Sequence, residues 1–122
     1  MCSSDLASKS SGPIVAGARL EWEFADVGAK GTVDVHAVEP DRRIVMAWTA
    51  TGIPTTATIT LTPDAEGGTW VSFHEGSWPL DADGVKKALG QTRGWTDFFC
   101  SLKGFLLHGI NLRQGRRAKH VA

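Results

Sequence analysis

Alternating hydrophobic and polar residues predict five β-strands before residue 76. Leu20, Trp22 and Phe24 alternate with charged residues, as in a strand with one buried face. The same alternation predicts further strands over residues 31–39, 43–49, 55–62 and 69–75. Turn sequences such as Pro40-Asp41 and Gly67-Gly68 separate them. Because the connections between successive strands are short, we expect an antiparallel meander.

After Trp78-Pro79 the hydrophobic spacing changes from two residues to three or four, which predicts a helix from residue 83 to about Leu112. Asp81 or Asp83 can cap its start, and Gly90 and Gly94 favour a bend. Its apolar stripe consists of Val85, Leu89, Trp95, Phe98, Phe99, Leu102, Phe105, Leu106, Gly109 and Ile110. A sheet with one apolar face and a helix with one apolar stripe bury each other, so we expect an α+β fold.

The composition is that of one ordinary soluble domain. The chain has 122 residues, of which 42% are hydrophobic and 21% are charged. The two cysteines, Cys2 and Cys100, are too far apart in sequence to suggest a disulfide framework. No apolar run reaches the roughly 20 residues of a membrane span, and no secretory signal is recognisable. We therefore expect a cytoplasmic protein.

Charge is distributed unevenly, although the formal net charge is zero. Residues 1–84 carry 12 acidic and 5 basic side chains, whereas residues 85–122 carry 1 acidic and 8 basic ones. One interpretation is attraction between an acidic sheet and a basic helix. The other is a tail that contacts an acidic partner or nucleic acid, formed by Arg113, Arg116, Arg117, Lys119 and His120. We favour the first, because basic groups suit the C-terminal end of a helix, and we expect no nucleic-acid binding.

Candidate catalytic and metal-binding residues are few. Asp34 and His36 lie two residues apart on a strand but lack further ligands at suitable spacing. Glu21 and Glu23 point outward, away from any cleft. His74 is expected at a solvated rim, His108 near the last carbonyls of the helix, and Cys100 as a small buried residue. We expect no catalytic residue, no metal and no cofactor.

The run Gly94–Leu106 resembles the C-terminal helix of the SRPBCC, or START-like, superfamily, in particular relatives of the activator of heat-shock protein ATPase (AHSA-like) found in bacteria. Upstream segments agree with this resemblance: Glu21-Trp22-Glu23-Phe24, residues 33–40, Arg42-Arg43-Ile44-Val45 to Trp48, and Phe73-His74-Glu75-Gly76. The similarity extends from about Gly17 to Leu112. It implies a helix-grip fold, in which a curved antiparallel sheet wraps around the long C-terminal helix and leaves an apolar cavity between sheet and helix.

The resemblance also implies that the first strand and a short pair of helices of the family are missing here. The peptide from Cys2 to Leu6 is what part of a common sequencing adapter would encode. We therefore expect residues 1–12 to be a disordered or artefactual lead-in, residues 13–115 to be an N-terminally truncated START-like domain, and residues 116–122 to be a basic tail. An intact gene that begins at Met1 would refute this. Truncation exposes a sheet edge, so we expect a homodimer that covers it.

Large apolar side chains are concentrated on the predicted inner faces of sheet and helix. They form either a packed core or, as the resemblance implies, a cavity for a small hydrophobic ligand. The predicted ligand-binding residues are Trp22, Phe24, Met46, Trp48, Phe73, Trp95, Phe98, Phe99, Leu102 and Phe105.

We therefore expect a non-enzymatic ligand-binding domain. The alternatives are a protein-interaction module of the chaperone-activator type and a cyclase- or hydrolase-like enzyme. The enzyme would need a polar group that points into the cavity, and we identify none among the inward positions.

Overall fold

The computed structural model describes residues 9–24, 28–49 and 51–113 and shows one antiparallel sheet followed by one helix. The sheet strands are adjacent in the order of the chain. The elements are β1 (Lys9–Ser10), β2 (Arg19–Phe24), β3 (Ala29–Glu39), β4 (Arg43–Trp48), β5 (Thr55–Pro63), β6 (Thr69–Gly76) and α1 (Ala82–His108). The α+β class, the meander and the five predicted strands are confirmed.

The short strand β1 lies inside the segment that we expected to be a disordered or artefactual lead-in. Its two residues pair with the end of β2. The backbone N–H of Ser11 then donates to the carbonyl of Glu21, at 3.1 Å. The predictions for residues 1–8, which include Cys2, and for the basic tail at residues 116–122 lie outside the described residues.

One face of the sheet is apolar and buried, and β3 is bent. The buried sheet residues are Leu20, Trp22, Phe24, Val33, Val35, Met46, Trp48, Ala57 and Ile59, with the alternation that the sequence predicts. The pairing of β3 with β4 shifts by one residue between Val35 and Ala37. Such a bulge bends a strand and increases its twist, which fits the curved sheet of a helix grip.

Helix α1 is bounded by two local signals. Asp81 is the N-cap and accepts a hydrogen bond from the backbone N–H of Gly84 at 2.8 Å. Gly109 adopts a left-handed conformation, and its N–H donates to the carbonyl of Phe105. The helix therefore ends at His108, and our prediction of an end near Leu112 is wrong. It is continuous through Gly90 and Gly94, and within the described residues it is not apolar enough to span a bilayer.

Only the middle of α1 is buried against the sheet. Trp95, Phe98 and Ser101 are buried there. A helix of 27 residues is about 40 Å long, whereas the longest strand, β3, has 11 residues and covers about 36 Å. Apolar residues toward both ends of the helix are exposed, so the prediction that the whole apolar stripe is buried is wrong. Its exposed members are Val85, Leu89, Phe105, Leu106 and Ile110.

Candidate functional site

The buried core of the domain is a continuous cluster of aromatic rings that joins the sheet to the helix. The ring centroids of Trp22 and Trp48 lie 5.9 Å apart, and those of Trp48 and Trp95 lie 6.0 Å apart. Phe24 meets Phe98 edge to face at 6.1 Å. Aromatic pairs at such distances add to the free energy gained from burial. This part of the interface is packed and leaves the helix firmly placed.

Two indole groups in this core lack a hydrogen-bond acceptor. The Nε1 atoms of Trp22 and Trp48 are buried and have no partner among the described residues. A buried donor without a partner costs free energy. The core is therefore specified by its apolar surface and shape rather than by polar contacts.

An open groove lies beside the packed core, between the edge strand β6 and the helix. We call it the β6–α1 groove, and its volume is about 660 Å³. It is lined by Val71, Phe73, His74, Glu75, Trp78, Ala88, Gln91, Thr92, Trp95, Thr96, Phe99, Cys100 and Lys103. The helical members recur every three or four residues from Ala88 to Lys103, so one flank of α1 forms a whole wall.

Aromatic rings form the centre of the β6–α1 groove. Phe73 of β6 packs against Trp95, with ring centroids 4.5 Å apart, and against Phe99, at 5.6 Å. Phe73 and Phe99 are only half-buried. Val71, predicted to point inward, is 45% exposed because the helix does not cover this part of β6. The groove exists where the sheet and helix diverge.

The carboxylate of Glu75 is held at one end of the groove by three protein donors. Its Oε1 accepts hydrogen bonds from Trp95 Nε1 at 2.9 Å and from Gln91 Nε2 at 3.2 Å. Its Oε2 accepts one from the hydroxyl of Thr55, a residue buried at the start of β5. Glu75 thus connects β5, β6 and α1, and it fixes the indole of Trp95 in the groove wall.

Glu75 corrects our expectation that no polar side chain points inward. The sequence contained the signal, because Glu75 continues the alternation of Val71 and Phe73 on β6. Because side chains alternate between the two faces of a strand, Glu75 lies on the same inner face as Phe73, two residues earlier. Its donors, however, come from β5 and α1, and no local pattern predicts that these elements meet there.

A second cavity lies on the opposite flank of the helix, with a volume of about 410 Å³. Its walls are Phe24, Trp48, Gly90, Gln91, Arg93, Gly94, Trp95, Asp97, Phe98 and Arg113. Arg113 lies over the ring of Phe24, 5.3 Å from its centroid, and binds Asp97 at 2.9 Å. Trp95 and Gln91 line both cavities and therefore separate them.

The predicted ligand-binding residues divide into three groups. Trp22, Phe24, Met46, Trp48, Trp95 and Phe98 are in the buried core, and Phe73, Phe99 and Leu102 are packed against it. Phe105 is 39% exposed and lies near the end of α1, beyond the buried middle. Phe73, Trp95 and Phe99 line the β6–α1 groove. Trp22, Met46, Leu102 and Phe105 line neither this groove nor the second cavity.

The outer face of the sheet holds the acidic candidates away from the groove. The guanidinium of Arg19 binds Asp34 at 2.7 and 3.2 Å, and this hydrogen bonding lowers the pKa of Asp34. His36, Glu21 and Glu23 are exposed on the same face. In the described ranges, no group of three or more His, Cys, Asp or Glu residues could hold a metal ion.

The cysteine and the histidines occupy different surfaces. Cys100 is exposed and lines the groove, so our expectation of a buried residue is wrong. It lies next to Phe99 on the flank of α1 that forms the groove wall. His74 is exposed at the rim of the groove. His108 is exposed in the last turn of α1.

Three solved structures share this fold. The protein SSP2350 from Staphylococcus saprophyticus is 29% identical, with a TM-score of 0.70, and the match covers 88% of this chain and 74% of that one. DynU16, a putative protein in the dynemicin biosynthetic locus, is 26% identical, with a TM-score of 0.72 over 88% of this chain but only 39% of its own. MLL2253 from Mesorhizobium loti is 25% identical, with a TM-score of 0.68 and coverage of 83% and 76%.

No curated protein shows detectable sequence similarity. The family model described as "Activator of Hsp90 ATPase homolog 1-like protein" matches residues 5–106, which is most of the chain and includes every element from β1 to most of α1. Together with the antiparallel sheet and its C-terminal helix, this match shows that the chain belongs to the AHSA-like family of SRPBCC domains with the helix-grip fold.

Proposed function

We propose that this domain binds a small hydrophobic molecule in the β6–α1 groove without catalysing a reaction on it. The observation that carries the proposal is the position of the groove beside a sealed aromatic core. Its volume of about 660 Å³ lies within the range of roughly 300–1,000 Å³ for small-molecule sites. Its central wall of Phe73, Trp95 and Phe99 offers flat apolar surface for stacking.

The hydrogen bonds of Glu75 support a binding role rather than a catalytic one. A general base needs a carboxylate oxygen that is free to accept a proton from the substrate. Thr55, Gln91 and Trp95 already donate to the two oxygens of Glu75. These contacts favour a carboxylate that holds the wall of the groove in place. The cyclase- or hydrolase-like alternative would need this network to open.

The comparisons fit this proposal at the level of family. DynU16 is described as a putative protein in a biosynthetic locus for dynemicin, which is compatible with small molecules as ligands of this fold.

The proposal can be tested with 1-naphthaleneacetamide, a neutral flat probe, by isothermal titration calorimetry. A probe of this size in an apolar groove should bind with a Kd of about 1 mM or tighter. Thr96 is exposed and lines the groove, so Thr96→Trp should fill it and weaken binding at least about tenfold.

The matched control is Lys86→Trp, at an exposed helical position that lines neither described cavity. It should bind the probe as the unchanged protein does. Absence of measurable binding, or equal binding by the Thr96→Trp variant, would contradict the proposal. Turnover of ester or epoxide analogues of the probe would contradict its non-catalytic part.

A second candidate function, favoured by the sheet edge, is association with another copy of this chain. Strand β6 has eight residues and is the last strand of the sheet, with no neighbour on its outer side among the described residues. Its Trp70 is 68% exposed. An edge of this length is a template for pairing, and two copies of β6 could extend one sheet across a twofold axis.

Association through β6 predicts a dimer by light scattering at micromolar concentration. Ser72→Lys places a charge in the middle of the edge strand and should give a monomer. Thr62→Lys is the control, because Thr62 is exposed on the neighbouring interior strand β5 and should leave the dimer intact. A monomeric unchanged protein would refute this candidate and leave the groove proposal standing.

A further inference from the structure

We propose that the molecule bound in the β6–α1 groove carries an anionic group, and that Lys103 binds this group at the end of the groove opposite Glu75. This inference rests on the proposed function and specifies its ligand class: a flat apolar body with a carboxylate.

Contacts between β6 and α1 fix the order of residues along the groove. Glu75 contacts Gln91 and Trp95 at one end. Phe73, two residues back along β6, contacts Trp95 and Phe99, further along α1. Strand and helix therefore run in opposite directions, and Lys103 follows beyond Phe99. Since Lys103 comes 12 residues after Gln91, it lies about 18 Å farther along the helix axis.

The charged groups at the two ends of the groove, Glu75 and Lys103, differ in how many partners the protein gives them. Glu75 is the only carboxylate among the described residues of the groove, and three protein donors already satisfy it. It is also too far along the helix to pair with Lys103. The ammonium group of Lys103 has no ion pair within the part of the chain that the structure describes.

This arrangement matches an amphipathic anion. The apolar rings between the two ends can stack with a flat body, while the ammonium of Lys103 supplies a compact positive charge on a flexible stem. The imidazole of His74, at the rim of the groove, can form a hydrogen bond with the ligand and brings no negative charge. Because no acidic side chain among the described residues pairs with Lys103, which borders an apolar surface, an anionic group should be preferred over a neutral group of equal size.

The test compares 1-naphthaleneacetate with 1-naphthaleneacetamide, which have the same rings and differ in charge. By calorimetry in low-salt buffer, the unchanged protein should bind the acid about three- to tenfold more tightly than the amide. Lys103→Gln should abolish this preference, so that the acid and the amide bind with the same affinity. Raising the ionic strength should reduce the preference in the unchanged protein.

Lys86→Gln is the matched control, because Lys86 is an exposed lysine of the same helix that does not line the groove. It should retain the full preference for the acid. If both probes bind the unchanged protein equally, or if the preference survives in the Lys103→Gln variant, the role of Lys103 is refuted while the groove proposal stands. If neither probe binds, both proposals fail together.

Discussion

The middle of α1 and its N-terminal end carry similar apolar side chains, but they have different energetic roles. Trp95 and Phe98 are buried against β2 and β4 through a cluster of aromatic rings. Leu89, which comes six residues before Trp95 on the same helix, is 66% exposed. The difference shows that an apolar stripe stabilises the fold only where a facing surface removes it from water. Four pairs of substitutions test this contrast, from the largest expected effect to the smallest.

Trp95→Ala should lower the free energy of unfolding by about 3–5 kcal/mol, because it removes the ring that joins the core to both cavities and leaves a void. Leu89→Ala should change it by less than about 0.5 kcal/mol. Urea unfolding followed by circular dichroism measures both. Equal losses at the two positions would show that the end of the helix is also covered.

Glu75→Ala should lower the free energy of unfolding by about 2 kcal/mol, because the indole N–H of Trp95 loses its acceptor and the buried hydroxyl of Thr55 keeps only the carbonyl of Trp48, at 3.3 Å. Glu66→Ala, at an exposed turn position, should be nearly neutral. The same unfolding assay applies. Tryptophan emission should also shift to longer wavelength, because the indole of Trp95 becomes more exposed to solvent. If Glu75→Ala leaves the free energy of unfolding unchanged, this carboxylate does not hold the groove wall in place.

Asp81→Ala should cost about 1 kcal/mol, since the side chain accepts the hydrogen bond from Gly84 that begins α1. Asp83→Ala removes only an exposed ion pair with Lys87 and should cost less than about 0.5 kcal/mol. Thermal unfolding of the two variants distinguishes them. The reverse order would mean that the helix does not begin at Asp81.

Gly90→Ala should stabilise the protein by about 0.5–1 kcal/mol, because a Cβ there meets no atom within 4 Å and alanine favours the helix. Gly84→Ala should instead destabilise it, since its Cβ would lie 2.0 Å from the carbonyl oxygen of Pro79. A shift in the urea midpoint measures each sign. Destabilisation by Gly90→Ala would indicate that something packs against this end of the helix.

Much of the fold could be predicted because its signals are local. The alternation around Trp22 and around Met46 selected the buried face of the sheet correctly. Asp81 was one of two predicted caps, and the structure uses it. The spacing does not reveal where the helix ends, because Gly109 fits the apolar stripe, whereas its left-handed conformation ends the helix.

The candidate site was less predictable, because it depends on where two elements diverge. The pattern placed Phe73, Trp95 and Phe99 on inner faces, but it did not indicate that they line an open groove while Trp22 and Met46 lie in a sealed core. It also left Glu75 unrecognised. The three donors of Glu75 are distant in sequence or on another element, and only the packing of α1 against β6 brings them together.

By itself, the sequence determined which side of each strand is apolar, where the helix starts and that both must be packed together, since periodicity and capping act over a few residues. Only the tertiary structure decided how far the helix covers the sheet. That coverage depends on element lengths, on the bend of β3 and on the angle at which α1 crosses, and these properties involve the whole chain. The groove, the hydrogen bonds of Glu75 and the place of Lys103 at the far end of the groove all follow from it.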